Sequence, residues 1–281
     1  MAFLRVVEVL PPRFPMSGSG RDRLDLKGEV ERFVAEVRMV GRFADVVLVA
    51  NMKNPHLLKM DTVQAALVAQ HRTGVEAAPV LVVRDQVRAQ FLSSLVAAFS
   101  SGLRSVMIAW GDDFPGSGRG TGPGGFADLA EAIREASVLR ARSRSGVRIL
   151  APVDLRRLGA GGGRAMAAGR LKAGADLFLA QPPTTDPHST FDRHSSAIRR
   201  AGLEGKVLPG VFPFKDAADL ALYEKMFGWK LSEELHAAAS GGGEALFALT
   251  RAVVERVSRG GFPGVYVSTR GVPSMAERLL T

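Results

Sequence analysis

The sequence predicts an α/β fold of one particular class: a closed barrel of eight parallel strands, each followed by a helix, the (β/α)8 or TIM barrel. Three observations carry this. Short aliphatic runs rich in β-branched residues recur at intervals of roughly 30 residues, and the stretches between them show helical apolar spacing. The alternation occurs eight times in 281 residues, a length that suits one barrel better than an open doubly wound sheet. No linker rich in proline, serine or charge divides the chain, so residues 1–281 are expected to form a single domain.

The elements follow in order. Leu4 to Val9 reads as a buried first strand, because aliphatic residues dominate it and Pro11-Pro12 forbid its continuation. Further strands are expected at Asp45 to Ala50, Ala78 to Val83, Ser105 to Trp110, Val147 to Val153, Leu177 to Gln181, Val207 to Phe212 and Val265 to Ser268. Between them, helices are expected at Gly28 to Val40, Asp61 to Arg72, Gln86 to Ser101, Phe126 to Arg142, Gly163 to Ala173, Ser189 to Ala201 and Asp216 to Phe227. A further turn from Ser232 to Ala239, a helix from Glu244 to Arg259 and a short one from Pro273 complete the pattern. The stretches Pro15 to Arg21, Gly116 to Gly125 and Gly159 to Gly163 read as mobile loops at strand ends.

Composition removes several function classes. With no cysteine, disulfides, thiolate metal sites and a cysteine nucleophile are excluded. No apolar run approaches the roughly 20 residues of a membrane helix, and the expectation is a soluble, cytoplasmic protein without a membrane partner. The net charge is +9, mainly from arginines such as Arg134, Arg140, Arg142, Arg144 and Arg148. Their planar forks favour phosphate and carboxylate groups. Nucleic acid is not the expected ligand, since the basic residues are dispersed over helices and aromatics are few. His188 and His194 are six residues apart, which suits no zinc site, and read as a solvated pair at a helix start; no metal site is expected. Gly116 to Gly120 lacks the Gly-Lys-Ser/Thr that would make it a P-loop.

In a barrel the reactive groups stand at the C-terminal ends of the strands. Here those positions hold Glu8, Asn51, Arg84-Asp85, Asp112-Asp113, Asp154, Gln181, Lys215 and Arg270. Glu8 is the informative one. A carboxylate in an apolar strand is either half of an ion pair with Arg5 or Arg13 or an acid whose pKa burial has raised, fit to give a proton near neutral pH.

Four local patterns, in order and at strand ends, resemble the methylenetetrahydrofolate reductase family. Val7-Glu8-Val9-Leu10-Pro11-Pro12-Arg13 is similar to the family's first strand, which ends in glutamate and a double proline. Arg72 to Leu81 is similar to the passage into its third strand, and Val106 to Asp112 to its fourth strand ending in Gly-Asp. Ala173 to Gln181 resembles its sixth strand ending in glutamine, followed by the Pro-Gly strand Leu208-Pro209-Gly210-Val211-Phe212-Pro213. The resemblance implies a flavin-binding barrel of one-carbon metabolism and methionine biosynthesis that reduces 5,10-methylenetetrahydrofolate, or a related pterin, to the 5-methyl form. Hydride would pass from NADH or NADPH through FAD.

By that resemblance Glu8 matches the general acid that protonates a folate nitrogen, and Asp112 the aspartate beside the flavin ring. Gln181 matches the glutamine that binds the pterin. Phe212 or Phe214 could stack on the ring in the folate and nicotinamide site or belong to the core, and Arg270 is assigned to the substrate. On the cofactor side stand Ala50, Asp112, Arg119, Arg164 and Arg170, the last two as phosphate partners. The pattern thins there. Trp110 stands where the family carries an arginine before Gly-Asp, Ala50 where it carries a threonine, Val80 where a histidine is expected, and Pro182-Pro183 where an aromatic pair follows the glutamine. Three expectations therefore remain: FAD held by a rearranged set of arginines, a flavin-independent reductase, and a non-catalytic barrel that binds a pterin or a partner protein. A homo-oligomer is compatible with all three.

Overall fold

The computed structural model describes residues 3–15, 25–51, 57–84, 86–111, 125–159, 161–181, 189–227, 230–269 and 272–281. Its main sheet contains strands β1 (Leu4–Val9), β3 (Val46–Val49), β5 (Glu76–Val82), β6 (Ser105–Ala109), β7 (Arg148–Asp154), β8 (Leu177–Gln181), β9 (Val207–Leu208), β10 (Gly210–Val211) and β11 (Gly264–Val267). All neighbours are parallel, in the order β10-β11-β1-β3-β5-β6-β7-β8-β9. The two ends of that order are consecutive in the chain, joined through Pro209, so the sheet closes into an α/β barrel with eight strand positions.

Pro209 explains why the expected strand Val207 to Phe212 is divided. It has no N–H to give to a ladder, and β9 turns to β8 while β10 turns to β11. Its carbonyl still accepts from Tyr266 N at 3.0 Å.

Alternation along the strands sorts the core into two layers. Val6, Leu48, Val80, Met107, Leu179 and Tyr266 are among the residues that fill the barrel interior. The opposite faces, including Val7, Val9, Val47, Val49, Leu81 and Ile108, pack under the helices. A polar group closes the N-terminal end: Arg148 Nη2 and Ser105 Oγ donate to Glu76 Oε1 at 2.5 and 2.6 Å.

The helices are α1 (Leu26–Val40), α2 (Thr62–Thr73), α3 (Arg88–Ser100), α4 (Leu129–Arg142), α5 (Leu155–Gly159), α6 (Gly161–Ala173), α7 (Ser189–Arg200), α8 (Ala217–Phe227), α9 (Glu233–Ser240), α10 (Gly243–Arg259) and α11 (Pro273–Leu280). Asp25, Asp61 and Asp128 cap α1, α2 and α4 by accepting from main-chain N–H groups of the first turn. No helix among the described residues is long and apolar enough to cross a membrane.

Three features depart from expectation. Strands β2 (Arg13–Pro15) and β4 (Leu57–Lys59) form a small antiparallel ribbon beyond the ends of β1 and β3, with Phe14 opposite Leu58. Gly159 to Gly163 is not a loop: α5 ends at Gly159 and α6 begins at Gly161. Gly163 serves close packing, since a Cβ there would lie 2.0 Å from the carbonyl oxygen of Arg157, whereas Gly159 and Gly162 have open space. His194 is not solvated; it lies within α7 and is buried, whereas His188 falls outside the described residues. The loops expected at residues 16–21 and 116–124 also fall outside them.

The two glycines of this turn should respond oppositely to alanine. Gly163→Ala is expected to cost roughly 1 to 3 kcal/mol through the clash with Arg157. Gly162→Ala, with open space at its Cβ inside the same helix, should gain about 0.5 to 1 kcal/mol. Urea midpoints of the two variants check the pair.

Candidate functional site

The C-terminal mouth is organised around Glu8. In β1 the residues Val6 and Glu8 share the interior face, and Glu8 pairs in register with Leu48 of β3. On the other side of β1 lies β11, paired so that Tyr266 stands level with Val6 and Val267 with Val7. Ser268, the next residue, therefore comes level with Glu8.

This register brings three hydroxyls onto one residue. Tyr266 Oη donates to Glu8 Oε2 at 2.5 Å, Ser268 Oγ donates to Glu8 Oε1 at 3.0 Å, and Thr269 Oγ1 donates to the Glu8 carbonyl at 2.8 Å. Neither Arg5 nor Arg13 is its partner: Arg5 is held by Asp45 through its main-chain N–H at 2.8 Å and its guanidinium at 3.1 Å. Of the two readings of Glu8, the ion pair is thus set aside. Burial holds the carboxyl above its ordinary pKa, and the two hydroxyl donors oppose that rise by stabilising the charged form. The group is an acid biased toward holding its proton, with both oxygens oriented.

The other rim positions are distributed as follows. Asn51 Oδ1 accepts from Lys59 of the β2–β4 ribbon. Asp154 is turned to its own helix, accepting from the N–H groups of Arg156 and Arg157 at 2.9 and 3.4 Å. Gln181 pairs through its backbone register with Asp154, and its side chain lies outside the described set. Lys215 is exposed. Asp112, Arg119 and Arg270 fall outside the described residues, as do Asp85 and Asp113. Phe214 and Phe212 are buried in a separate aromatic cluster, 4.9 Å apart between ring centroids, with Tyr223 at 5.2 and 4.7 Å from them.

Whether a flavin fits can be read from the described residues at the positions the resemblance assigns to it. Ala50 has no polar side-chain atom, and Val80 is enclosed in the barrel interior. Trp110 packs on the other side of its strand, against the core under the helices. Arg170 has its guanidinium on the carbonyl of Pro152 at 2.7 Å and on Met166 Sδ at 3.3 Å, and burial disfavours its charge. Of the positions the resemblance assigns to the flavin, Ala50, Arg164 and Arg170 are described, and Arg164 is the exposed cation among them. No group of three or more potential metal ligands occurs among the described residues.

Sequence reasoning singled out Glu8 but not Tyr266, Ser268 or Thr269. The signal was available in the last strand, where Tyr266 and Ser268 are polar residues two apart on one face.

A model of the family described as methylenetetrahydrofolate reductase matches residues 26–241. No curated protein matches the sequence. Among solved structures, an uncharacterized protein from Clostridium thermocellum that binds two copies of 5-methyl-5,6,7,8-tetrahydrofolic acid superimposes with TM-score 0.66 at 10% identity, covering 98% of this chain and 93% of that one. Oxaloacetate acetylhydrolase superimposes with TM-score 0.57 at 11% identity, covering 98% of this chain and 79% of that one. At such identities the likeness is one of fold.

The electrostatics of Glu8 make a stability prediction. A carboxyl with a folded pKa above its ordinary 4.5 keeps a proton that the unfolded chain has released. Its contribution is therefore lost as pH rises from about 4.5 to the folded value. Glu36, which burial pushes up to about 7 against the attraction of Arg13, has the same sign. Glu8→Gln should be more stable than the parent at about pH 8 and lose that advantage by about pH 4. The Glu36 slope should persist in both proteins; urea titrations across the range check this.

Proposed function

This chain belongs to the methylenetetrahydrofolate reductase family, and we propose that its barrel mouth binds a reduced pterin of the folate type and reduces the one-carbon unit from methylene to methyl, with Glu8 as the acid. The observation that carries this reading is a glutamate inside the barrel, raised in pKa by burial and fixed at both oxygens by Tyr266 and Ser268. Support comes also from the ligand of the Clostridium thermocellum protein, a 5-methyl reduced folate held on the same fold.

The residues would act as follows. A methylene bridge between two pterin nitrogens accepts hydride readily only after one C–N bond opens, and opening requires a proton on the departing nitrogen. Glu8 gives that proton, an N–H bond forming as its O–H bond breaks. The carboxylate left behind accepts from Tyr266, a donor already in place, and from Ser268 once its hydroxyl has turned to donate. Burial makes Glu8 a proton holder before the step and the hydroxyls make its anion tolerable after it.

Hydride would come from NADH or NADPH. In the family FAD relays it, and that route would here depend on Asp112, Arg119, Arg164 and Arg170. Ala50, Val80 and Trp110 favour the second route, direct transfer from the nicotinamide, because they remove the side-chain polar groups a flavin would need.

One assay separates these. The purified protein is mixed with NADH or NADPH and a methylene-bridged tetrahydropterin, with and without FAD. Nicotinamide oxidation without FAD is expected. Oxidation only with FAD would restore the flavin route, binding of the 5-methyl pterin without turnover would make the chain a non-catalytic barrel, and no binding would overturn the reading. Glu8→Gln should lower turnover by roughly 100-fold or more while the 5-methyl pterin still binds.

A further inference from the structure

Three hydroxyls from one short stretch converge on Glu8, yet they do different things. Thr269 holds the main chain of Glu8, and so fixes where the residue is. Ser268 stands level with Glu8 at the mouth side and donates to Oε1. Tyr266 stands two residues lower, level with Val6, and its ring is fully enclosed in the packed barrel interior. Its hydroxyl thus reaches Oε2 from the floor side, at 2.5 Å.

We propose that Tyr266 is a positioning residue: it locks Glu8 Oε2 to the barrel core, so that proton exchange with a ligand at the mouth runs through Oε1 beside Ser268. The two donors are not equivalent. A phenol anchored in a packed core has one direction in which to donate. A serine hydroxyl at the rim can turn, donating to the carboxylate and accepting once Oε1 carries the proton. The proton on Oε1 passes to the ligand nitrogen as the O–H bond breaks, Ser268 rotates back to donate, and Tyr266 stays as it was. Among the described residues, what bears on the Glu8 carboxyl is its burial and the hydroxyls of Tyr266 and Ser268, with Leu48 of β3 in register and Ala50 beyond it.

The inference rests on the reading of Glu8 as the acid toward a pterin nitrogen, but its test does not need the pterin. The chain has only two tyrosines, Tyr223 and Tyr266. In a Tyr223→Phe background, growth on 3-fluorotyrosine therefore alters Tyr266 alone and makes it a stronger donor. The Glu8 carboxyl is followed by carbon-13 NMR of labelled glutamate in ligand-free protein, its signal assigned by its absence in Glu8→Gln. The fluorinated protein should titrate at lower pH than its parent, and Tyr266→Phe at higher pH, by about one unit, since the lost donor served the charged form. Where turnover is measurable, its pH profile should move the same way, with kcat falling in Tyr266→Phe and KM for the pterin nearly unchanged. A Glu8 titration that ignores both changes would overturn the proposal even if pterin is bound and reduced. Failure to bind pterin, with the opposite shifts present, would overturn the function and leave the role of Tyr266 standing.

Discussion

A single carboxylate ties the first strand of this barrel to the last. Glu8 accepts from hydroxyls 258 and 260 residues further along the chain, and those hydroxyls can reach it only because β11 lies parallel to β1 in one register. A slip by one residue would turn Tyr266 and Ser268 outward and place Val267 against the carboxyl. Closure of the barrel and assembly of its acid are therefore one event. The energetic logic is a balance: burying the carboxyl is costly, and the hydroxyls make the cost bearable without removing the bias toward the protonated form.

The mouth is asymmetric around that acid. Beside β11 it is polar, with three hydroxyls on one residue. Toward β3, β5 and β6 its described interior-facing positions near the strand ends include Val80, Val82 and Ala109, small or aliphatic groups. Gly111, at the end of β6, has φ +97° and would carry a Cβ only 2.4 Å from Val82 Cγ1, so the chain there is kept bare by packing. Some of the arginines are engaged on the outer surface, Arg72 with Glu31 and Arg88 with Glu131.

Much of the barrel was legible in the sequence because its strands are aliphatic runs with breakers at both ends. Leu4–Val9 and Leu177–Gln181 emerge with the bounds their composition implies, closed by prolines on the C-terminal side. The ribbon of β2 and β4 was not legible, since three residues a side are too few to show a period. Nor was the helical state of Gly159 and of Gly161 to Gly163: Gly163 answers to the carbonyl of Arg157, a neighbour only the fold supplies. At the site, Glu8 announced itself as a charge in an apolar strand, while Tyr266 looked like one more strand aromatic. The spacing of Tyr266 and Ser268 marks a shared polar face, but that this face meets Glu8 depends on a long-range register, which no local pattern encodes.

That register has a consequence for synthesis. Chains emerge from the ribosome amino end first, and β1 can pair with β3 early, but its second edge waits for β11, the last strand made. For most of the time the chain is being built, Glu8 sits on an open edge facing water, where a carboxylate is at ease. A charge one residue from the end of a mostly aliphatic strand disfavours pairing with a wrong chain during that interval. The same group that is desolvated in the folded barrel is, until β11 arrives, a charge on the open edge of the unfinished sheet.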